Sequence, residues 1–235
     1  MAMIENKSAA SGFMGLGRAS GPGRAMGGRA MGAGALTKAV FDRTVAFVAL
    51  VLLAPLMLGI AAAIRLSTGD KVLFAHRRVG AGGRSFDCLK FRSMVPDAQE
   101  RLKQILATDP IAREEWEEDF KFERDSRVTR VGRVLRKTSL DELPQLLNVL
   151  RGDMSLVGPR PVTEAETKRY GHHYEAYKLV RPGLTGLWQV SGRSDTTYEE
   201  RIALDVRYIR TASFATDIGI LFKTVWCVLA RRGAV

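Results

Sequence analysis

The stretch Lys137-Thr138-Ser139-Leu140-Asp141-Glu142-Leu143-Pro144-Gln145 places two neighbouring carboxylates just before a proline. Proline is tolerated in the first turn of a helix but costs about 3 kcal/mol deeper inside, so Pro144 predicts that a helix begins near Asp141. Unpaired backbone N–H groups and the positive end of the macrodipole would keep Asp141 ionised there, as a nucleophile or metal ligand. Aspartate is also a common N-cap, so this stretch alone leaves a purely structural role open.

Size and charge narrow the classes of partner. The chain has 235 residues, of which 46% are hydrophobic, and this is enough for one substantial core with a membrane element appended. A net charge of +11 implies an anionic partner, which the charge leaves open among nucleic acid, lipid headgroups and a phosphorylated substrate. The two cysteines are far apart in sequence, so neither a disulfide framework nor a C-x-x-C metal motif is predicted.

The amino-terminal part divides into a tail and a membrane segment. Residues 1–35 are rich in Gly, Ala, Met and Arg without apolar periodicity, which predicts a disordered basic tail. The apolar run Thr44–Ile64 is just long enough to cross a hydrocarbon core of about 30 Å. Pro55 lies in the middle of that run, and basic residues precede it, against the positive-inside tendency. We therefore predict a re-entrant membrane helix over residues 38–65, and an ordinary kinked transmembrane helix is the alternative.

Residues 66–235 are predicted to form a compact, mostly helical α+β domain on the cytosolic side. The segments Lys71–Arg78 and Ser85–Met94 are predicted strands joined by a glycine-rich turn. Five predicted helices follow, over residues 97–108, 111–121, 142–150, 164–177 and 194–208. From Phe214 onward, apolar residues recur at helical spacing, which is typical of an amphipathic helix in the membrane interface or of a buried core helix.

Four basic residues complete a predicted site. Alternation along the second strand puts Lys90 and Arg92 on one face, and two prolines hold Arg160 on a stiff loop, where a guanidinium suits phosphate. Together with Arg78, they would supply the charge neutralisation on which phosphoryl transfer depends. Mg²⁺ is the expected metal, since it uses one or two protein carboxylates and substrate phosphate oxygens.

Several ordered motifs make the chain resemble a known family. They are Val79-Gly80, Lys90-Phe91-Arg92-Ser93-Met94, Leu135–Gln145, Gly152–Pro161 and Arg181–Gly186. Over residues 38–235 the chain resembles the bacterial sugar transferases, the monotopic phosphoglycosyl transferases. The segment Gly186–Arg193 and the residues that follow it are similar to the hexose-1-phosphate branch, and especially to short galactosyl-phosphate transferases that initiate exopolysaccharides.

The resemblance implies a reaction and a set of residues. It implies transfer of hexose 1-phosphate from a UDP-sugar to undecaprenyl phosphate, with release of UMP, at the cytosolic face of the bacterial inner membrane. Asp141 would be the nucleophile that carries the covalent phosphosugar, and Glu142 would complete the acidic dyad that holds Mg²⁺. Lys90, Arg92 and Arg160 match the family's basic motifs around phosphate and substrate. Arg78, which the sequence argument alone adds, would bind the substrate with them. Galactose is favoured, glucose is a close competitor, and a homodimer is left open.

Two rival functions make different predictions. A nucleic-acid-binding protein is disfavoured because the basic residues are scattered among turns and carboxylates, so we expect no nucleic-acid partner. The stronger alternative is a membrane-bound, metal-dependent phosphatase acting on a lipid phosphate. It would release inorganic phosphate, whereas the transferase would release UMP.

Overall fold

The computed structural model describes residues 28–119, 122, 125–192 and 196–230. Of the tail predicted over residues 1–35, residues 1–27 lie outside this part of the chain, and the remainder belongs to a helix. That helix, α1 (Gly28–Thr68), is longer at both ends than the predicted segment 38–65. Alanine and methionine are strong helix formers, so an established helix can extend into flanking sequence of this composition.

Helix α1 carries the apolar run. Within the described residues, its portion Gly34–Thr68 is the one helix that is long and apolar enough to span a membrane. Pro55 lies inside α1 and does not end it, contrary to the expected break. A proline removes one backbone hydrogen bond from a long helix, and apolar helices tolerate this loss when neighbouring elements pack against them.

A β-hairpin follows α1. Strands β1 (Leu73–Val79) and β2 (Ser85–Phe91) pair antiparallel, with His76 opposite Cys88 and Phe74 opposite Lys90. The connecting turn contains Gly82 and Gly83, whose φ angles of 67° and 75° favour glycine. The hairpin confirms the strands predicted from alternation and the glycine-rich turn.

The remaining elements are short helices and one small parallel pair of strands. Strands β3 (Ser155–Val157) and β4 (Gly183–Thr185) pair in parallel, which local patterning did not predict. The helices are α2 (Ala98–Thr108), α3 (Pro110–Asp119), α4 (Arg130–Lys137), α5 (Gln145–Arg151), α6 (Glu164–Tyr170), α7 (Tyr174–Lys178), α8 (Tyr198–Thr211) and α9 (Phe214–Leu229). The molecule is therefore a mixed helix-and-sheet fold with one long apolar amino-terminal helix, as the α+β prediction requires.

One stripe of α1 packs along the rest of the protein. Ala46 belongs to the main core with Phe86 of β2, and Ile60 and Ile64 pack with Phe91 at the other end of that strand. The opposite side of α1 is exposed and apolar, with members such as Phe47, Val48, Val51, Leu52 and Leu58. The helix thus lies against the domain over much of its length instead of projecting from it.

A buried polar network fixes the beginning of α1. Lys38 Nζ lies 2.6 Å from an Asp217 carboxylate oxygen on α9, and Tyr208 of α8 donates to the same carboxylate at 2.7 Å. Asp42 accepts a hydrogen bond of 2.6 Å from the Ser155 hydroxyl on β3. These contacts join α1 directly to α9 and β3, and through Asp217 to α8. Burying such charges is tolerated because each has a partner.

Candidate active site

The acidic pair lies on a tight turn between two helices. After α4 the chain passes through Ser139, whose φ of 56° is left-handed, and Leu140–Glu142 then form a 3₁₀ turn. The residue before α5 is Pro144, so α5 begins at Gln145. A 3₁₀ helix therefore begins near Asp141, as expected, whereas the α-helix begins only at Gln145, with Pro144 as its N-cap.

The electrostatics of Asp141 differ from the expectation as well. Its side chain is largely buried, and in the described part of the chain no backbone N–H donates to its carboxylate. Burial raises the pKa of Asp141, and the nearby Lys90 ammonium is the main group that opposes this rise. The ammonium, not a helix end, therefore favours the ionised carboxylate.

Lys90 holds the two carboxylates together. Its Nζ lies 2.6 Å from Glu142 Oε1 and 4.0 Å from Asp141 Oδ2. Because Lys90 is the penultimate residue of β2, the hairpin determines where this positive charge stands. A third charge approaches from the proline loop, where a guanidinium nitrogen of Arg160 lies 3.7 Å from Glu142 Oε1.

The loop that carries Arg160 is held by close backbone contacts. Gly158 N–H donates to the Thr185 carbonyl at 2.9 Å, and Gly183 N–H donates to the Pro159 carbonyl at 2.8 Å. A Cβ at Gly158 would lie 2.5 Å from a backbone oxygen, so only glycine fits there. The Arg160 guanidinium also lies over the Trp188 ring, 5.4 Å from its centroid, which adds a cation–π contact.

Arg78 lines the same pocket but is engaged within the protein. Its guanidinium donates to Glu166 at 2.8 Å and to the Pro161 carbonyl at 3.2 Å. Burial alone would raise the pKa of Glu166, but Arg78 and Arg201 overcome this effect and lower it. The geometry gives Arg78 a part in holding the proline loop, in addition to any contact with substrate.

Arg92 points to a different part of the molecule. Its guanidinium lies 2.6 Å from Asp70, just beyond the end of α1, and its backbone N–H donates to the Val72 carbonyl. The structure therefore brings Lys90, Asp141, Glu142 and Arg160 together. Lys90, Glu142 and Arg160 line one pocket, whereas Asp141 is buried, and neither Asp141 nor Arg92 is part of the lining. Alternation along β2 did not distinguish Lys90 from Arg92, because β2 ends at Phe91.

Sequence reasoning missed a buried amide, Asn148 of α5. Its Oδ1 accepts from Leu89 N–H at 3.0 Å, and its Nδ2 donates to the Asp87 carbonyl at 2.8 Å. The side chain therefore provides hydrogen-bond partners for two backbone groups of β2, the Leu89 N–H and the Asp87 carbonyl, next to Lys90. These bonds hold β2 against α5. The available signal was an amide inside the apolar run Leu146–Leu150, since a buried polar group needs partners.

We expect Asn148→Ala to destabilise the protein by about 2–4 kcal/mol, because it leaves a buried N–H and a buried carbonyl unpaired. Denaturant unfolding of the detergent-purified protein measures this change. Gln104→Ala is the matched control, since Gln104 is exposed on α2 and should change stability by less than about 0.5 kcal/mol. Equal stability of the two variants would show that the Asn148 contacts contribute nothing net.

The Asp141 and Glu142 carboxylates suit a metal ion that takes most of its ligands from water and substrate instead of from the protein. Among the described residues, no group of three or more His, Cys, Asp and Glu side chains converges on one point. Asp141 and Glu142 could therefore provide only one or two protein ligands. This donor set suits Mg²⁺, which keeps waters and binds substrate phosphate oxygens, and it does not suit a dedicated all-protein metal cage.

Comparison with known proteins gives a consistent assignment. Residues 33–231 match the family model described as bacterial sugar transferase. The chain is 51% identical over 197 residues to the undecaprenyl-phosphate galactose phosphotransferase of Salmonella typhimurium, a match that covers 84% of this chain and 41% of that protein. It is 47% identical to the exopolysaccharide production protein ExoY of Sinorhizobium fredii, over 86% of this chain and 89% of that protein.

A relative whose name specifies glucose instead of galactose is also similar to this chain. The UDP-glucose:undecaprenyl-phosphate glucose-1-phosphate transferase of Caulobacter vibrioides is 43% identical over 208 residues, covering 85% of this chain and 72% of that protein. The chain spans less than half the length of two relatives whose names specify galactose. It covers 41% of the Salmonella protein and 35% of the UDP-galactose-lipid carrier transferase of Erwinia amylovora. The match to ExoY, in contrast, extends over most of both proteins.

Proposed function

The chain belongs to the bacterial sugar transferase family, and on that basis we propose that it transfers hexose 1-phosphate from a UDP-sugar to undecaprenyl phosphate. The supporting observation in the structure is the buried Asp141 carboxylate beside Lys90, with Glu142 and Arg160 at the same pocket. Galactose is the favoured sugar because the galactose relative is more similar than the glucose relative, at 51% against 43% identity. The transfer would be the first membrane step of exopolysaccharide synthesis.

We propose a two-step reaction at Asp141. A carboxylate oxygen attacks the β-phosphorus, which bears the sugar, and the bond from that phosphorus to the bridging oxygen breaks, so that UMP leaves with the oxygen. The hexose phosphate then remains on Asp141 as an acyl phosphate. An oxygen of undecaprenyl phosphate attacks the same phosphorus, forms the lipid diphosphate sugar and restores the carboxylate.

The surrounding charges have separate tasks in this reaction. Lys90 favours the ionised form of Asp141, and its ammonium would stabilise the negative charge of the phosphoryl oxygens. Arg160, held by its loop and by Trp188, would bind a phosphate of the nucleotide. Mg²⁺, when bound by Asp141 and Glu142, would neutralise the diphosphate and the departing UMP.

We propose that both ends of α1 lie on the cytosolic side of the bilayer, with the exposed apolar side of this continuous helix embedded in the near leaflet. The stripe from Ala39 to Ile64 packs on one domain, although α1 as a whole is about 60 Å long. A helix that crossed the bilayer upright would have to carry that domain with it into the hydrocarbon. The exposed apolar side of α1 can contact lipid without the helix crossing the bilayer.

This topology predicts the labelling of introduced cysteines in intact cells. In a background with Cys88→Ser and Cys227→Ser, both Ser20→Cys and Glu100→Cys should be shielded from an impermeant periplasmic thiol reagent. Both should label once the inner membrane is permeabilised, which is the control. Labelling of the Ser20→Cys variant alone in intact cells would demonstrate a full crossing.

Lys90→Met should lower kcat/KM by about 10²–10³-fold, because one preorganised cation is lost from the phosphoryl-transfer site. As the pH is lowered, the rate of UMP release should also begin to fall at a higher pH than it does in the wild type. The reaction needs ionised Asp141, burial already raises the pKa of that group, and removing Lys90 raises it further. Lys103→Met, an exposed change on α2, is the control. An unchanged acid limb would contradict the role given to Lys90.

Incubation with Mg²⁺, undecaprenyl phosphate and a panel of UDP-sugars tests the proposed function. We expect UMP release that requires the lipid for repeated turnover, with UDP-galactose preferred over UDP-glucose. Preference for UDP-glucose would correct the sugar and leave the reaction class intact. Release of inorganic phosphate from the lipid, without UMP, would replace the transferase by the phosphatase alternative.

A further inference from the structure

A second pocket lies away from the candidate active site, on α8. It has a volume of about 330 Å³, which is at the lower end of the range for small-molecule pockets. Its lining is His173, Ala203, Val206, Arg207, Arg210 and Thr211. None of these residues lines the pocket that contains Lys90 and Glu142, so the two cavities are separate.

The lining combines positive charge with an apolar floor. Arg207 and Arg210 are exposed, and within the described ranges neither guanidinium has an ion-pair or hydrogen-bond partner. No acidic residue lines the pocket, whereas Ala203 and Val206 contribute apolar surface. Paired guanidinium groups are the side chains best suited to bind phosphate oxygens, and the apolar floor suits the carbon atoms attached to a phosphate.

The pocket lies close to the surfaces of α1 and α9 that are expected to contact lipid. Thr211, at its edge, is the last residue of α8, and the short connection to α9 places the exposed ring of Phe214 three residues later. That ring packs edge-on against Phe41 of α1, with centroids 5.1 Å apart. Phe41 lies three residues before the apolar run Thr44–Ile64, so the pocket lies near the part of α1 that would meet the membrane.

The exposed side of α9 extends this apolar surface. Phe222, Val225 and Trp226 are all more than half exposed, whereas Asp217 and Ile220 on the same helix are buried. Helix α9 therefore has one face on the protein and an apolar face outside it, which is typical of a helix lying in the membrane interface. A basic pocket at the beginning of such a helix would stand at the level of the lipid phosphates.

We propose that the pocket formed by His173, Arg207 and Arg210 binds the headgroup phosphate of an anionic phospholipid. The arginines would contact the phosphate, and Ala203 and Val206 would contact the glycerol and the first acyl carbons. The proposal rests on the membrane placement of α1 and α9 and not on the transfer reaction. An inactive protein could still bind the lipid, and an active one could fail to bind it.

Native mass spectrometry of the full-length protein, released from nanodiscs of equal dioleoyl-phosphatidylglycerol and dioleoyl-phosphatidylcholine, tests the proposal. We expect the wild type to retain phosphatidylglycerol at least about fivefold more often than phosphatidylcholine, since a fivefold ratio corresponds to about 1 kcal/mol. Arg207→Gln combined with Arg210→Gln should bring the two lipids close to parity. Arg101→Gln combined with Lys103→Gln removes the same charge from α2 and should leave the preference unchanged.

Three outcomes of the retention measurement would overturn the proposal. They are equal retention of both lipids by the wild type, a preference that survives in the Arg207 and Arg210 variant, and equal loss of preference in the α2 control. Displacement of phosphatidylglycerol by stoichiometric undecaprenyl phosphate would also overturn it, because the pocket would then hold the acceptor lipid. UMP release by each variant is measured in parallel, so a failure of the proposed transferase function is recognised separately.

Discussion

Asp141→Asn should abolish turnover, with UMP release falling by at least about 10⁴-fold, because the amide cannot attack the β-phosphorus. The variant should remain folded. Asn has nearly the same shape as Asp, and Asp141 is buried with a raised pKa, so a neutral group at this position avoids the cost of burying a charge. Initial rates of UMP release with UDP-galactose and undecaprenyl phosphate measure the effect.

Two controls make the Asp141 result specific. Asp97→Asn changes an exposed aspartate on the approach to α2 and should leave the rate within about twofold of the wild type. Denaturant unfolding of Asp141→Asn should give a midpoint at or above that of the wild type. A folded Asp141→Asn protein that turned over within tenfold of the wild type would demote Asp141 from nucleophile to ligand or structural residue.

Removal of divalent cations should have an effect of similar size. EDTA should stop UMP release, and excess Mg²⁺ should restore it. In the described part of the chain no cluster of three or more ligating side chains exists, so the proposed cation would be shared between Asp141, Glu142 and the substrate diphosphate. Lys90 and Arg160 alone leave the negative charge of the diphosphate and the carboxylates incompletely neutralised. Initial rates before chelation, after chelation and after readdition give the measurement.

The control for chelation is a measurement of the fold in the presence and absence of EDTA. The far-ultraviolet circular dichroism spectrum should not change with EDTA, since the core clusters and the polar network of Lys38, Asp42 and Asp217 do not involve Asp141 or Glu142. Undiminished turnover after exhaustive chelation would remove the metal from the mechanism. The cations of the protein would then have to neutralise the diphosphate by themselves.

The elements that were predictable from sequence are those determined by local pattern. The apolar run that became α1 and the strands joined by glycines needed only residue type, spacing and turn chemistry. Helix α8 begins at Tyr198, later than predicted, because Thr197 and Glu200 form a capping box at that point. Boundaries of this kind depend on specific side-chain hydrogen bonds, which an apolar pattern does not reveal.

The features that were missed depend on contacts between distant residues. The parallel pair β3 and β4 is only three residues long on each side and needs the close approach of Gly158 to Gly183, which no local pattern indicates. Arg78 was predicted to bind the substrate, and its ion pair with Glu166, a member of the capping box of α6, was not predicted. Whether a basic side chain is available to a ligand depends on the acidic residues that folding brings to it.

The residues of the candidate site could be predicted from the sequence, but the group that keeps Asp141 ionised could not. Proline and acidic spacing indicated Asp141 and Glu142, and the structure places Lys90 and Arg160 beside them. Among the described residues no backbone N–H donates to the Asp141 carboxylate, and the Lys90 ammonium favours its ionisation instead. Asn148, which holds Lys90's strand against α5, gave only the weak signal of an amide in an apolar run.

The covalent step is tested most directly by the mass of the wild-type protein after incubation with UDP-galactose and Mg²⁺ in the absence of lipid acceptor. We expect at most about one UMP per active site and a gain in protein mass equal to one hexose phosphate, located on the peptide that contains Asp141. Adding undecaprenyl phosphate should remove the modification. Normal lipid-dependent turnover without any adduct would instead indicate direct attack by the lipid phosphate on the UDP-sugar.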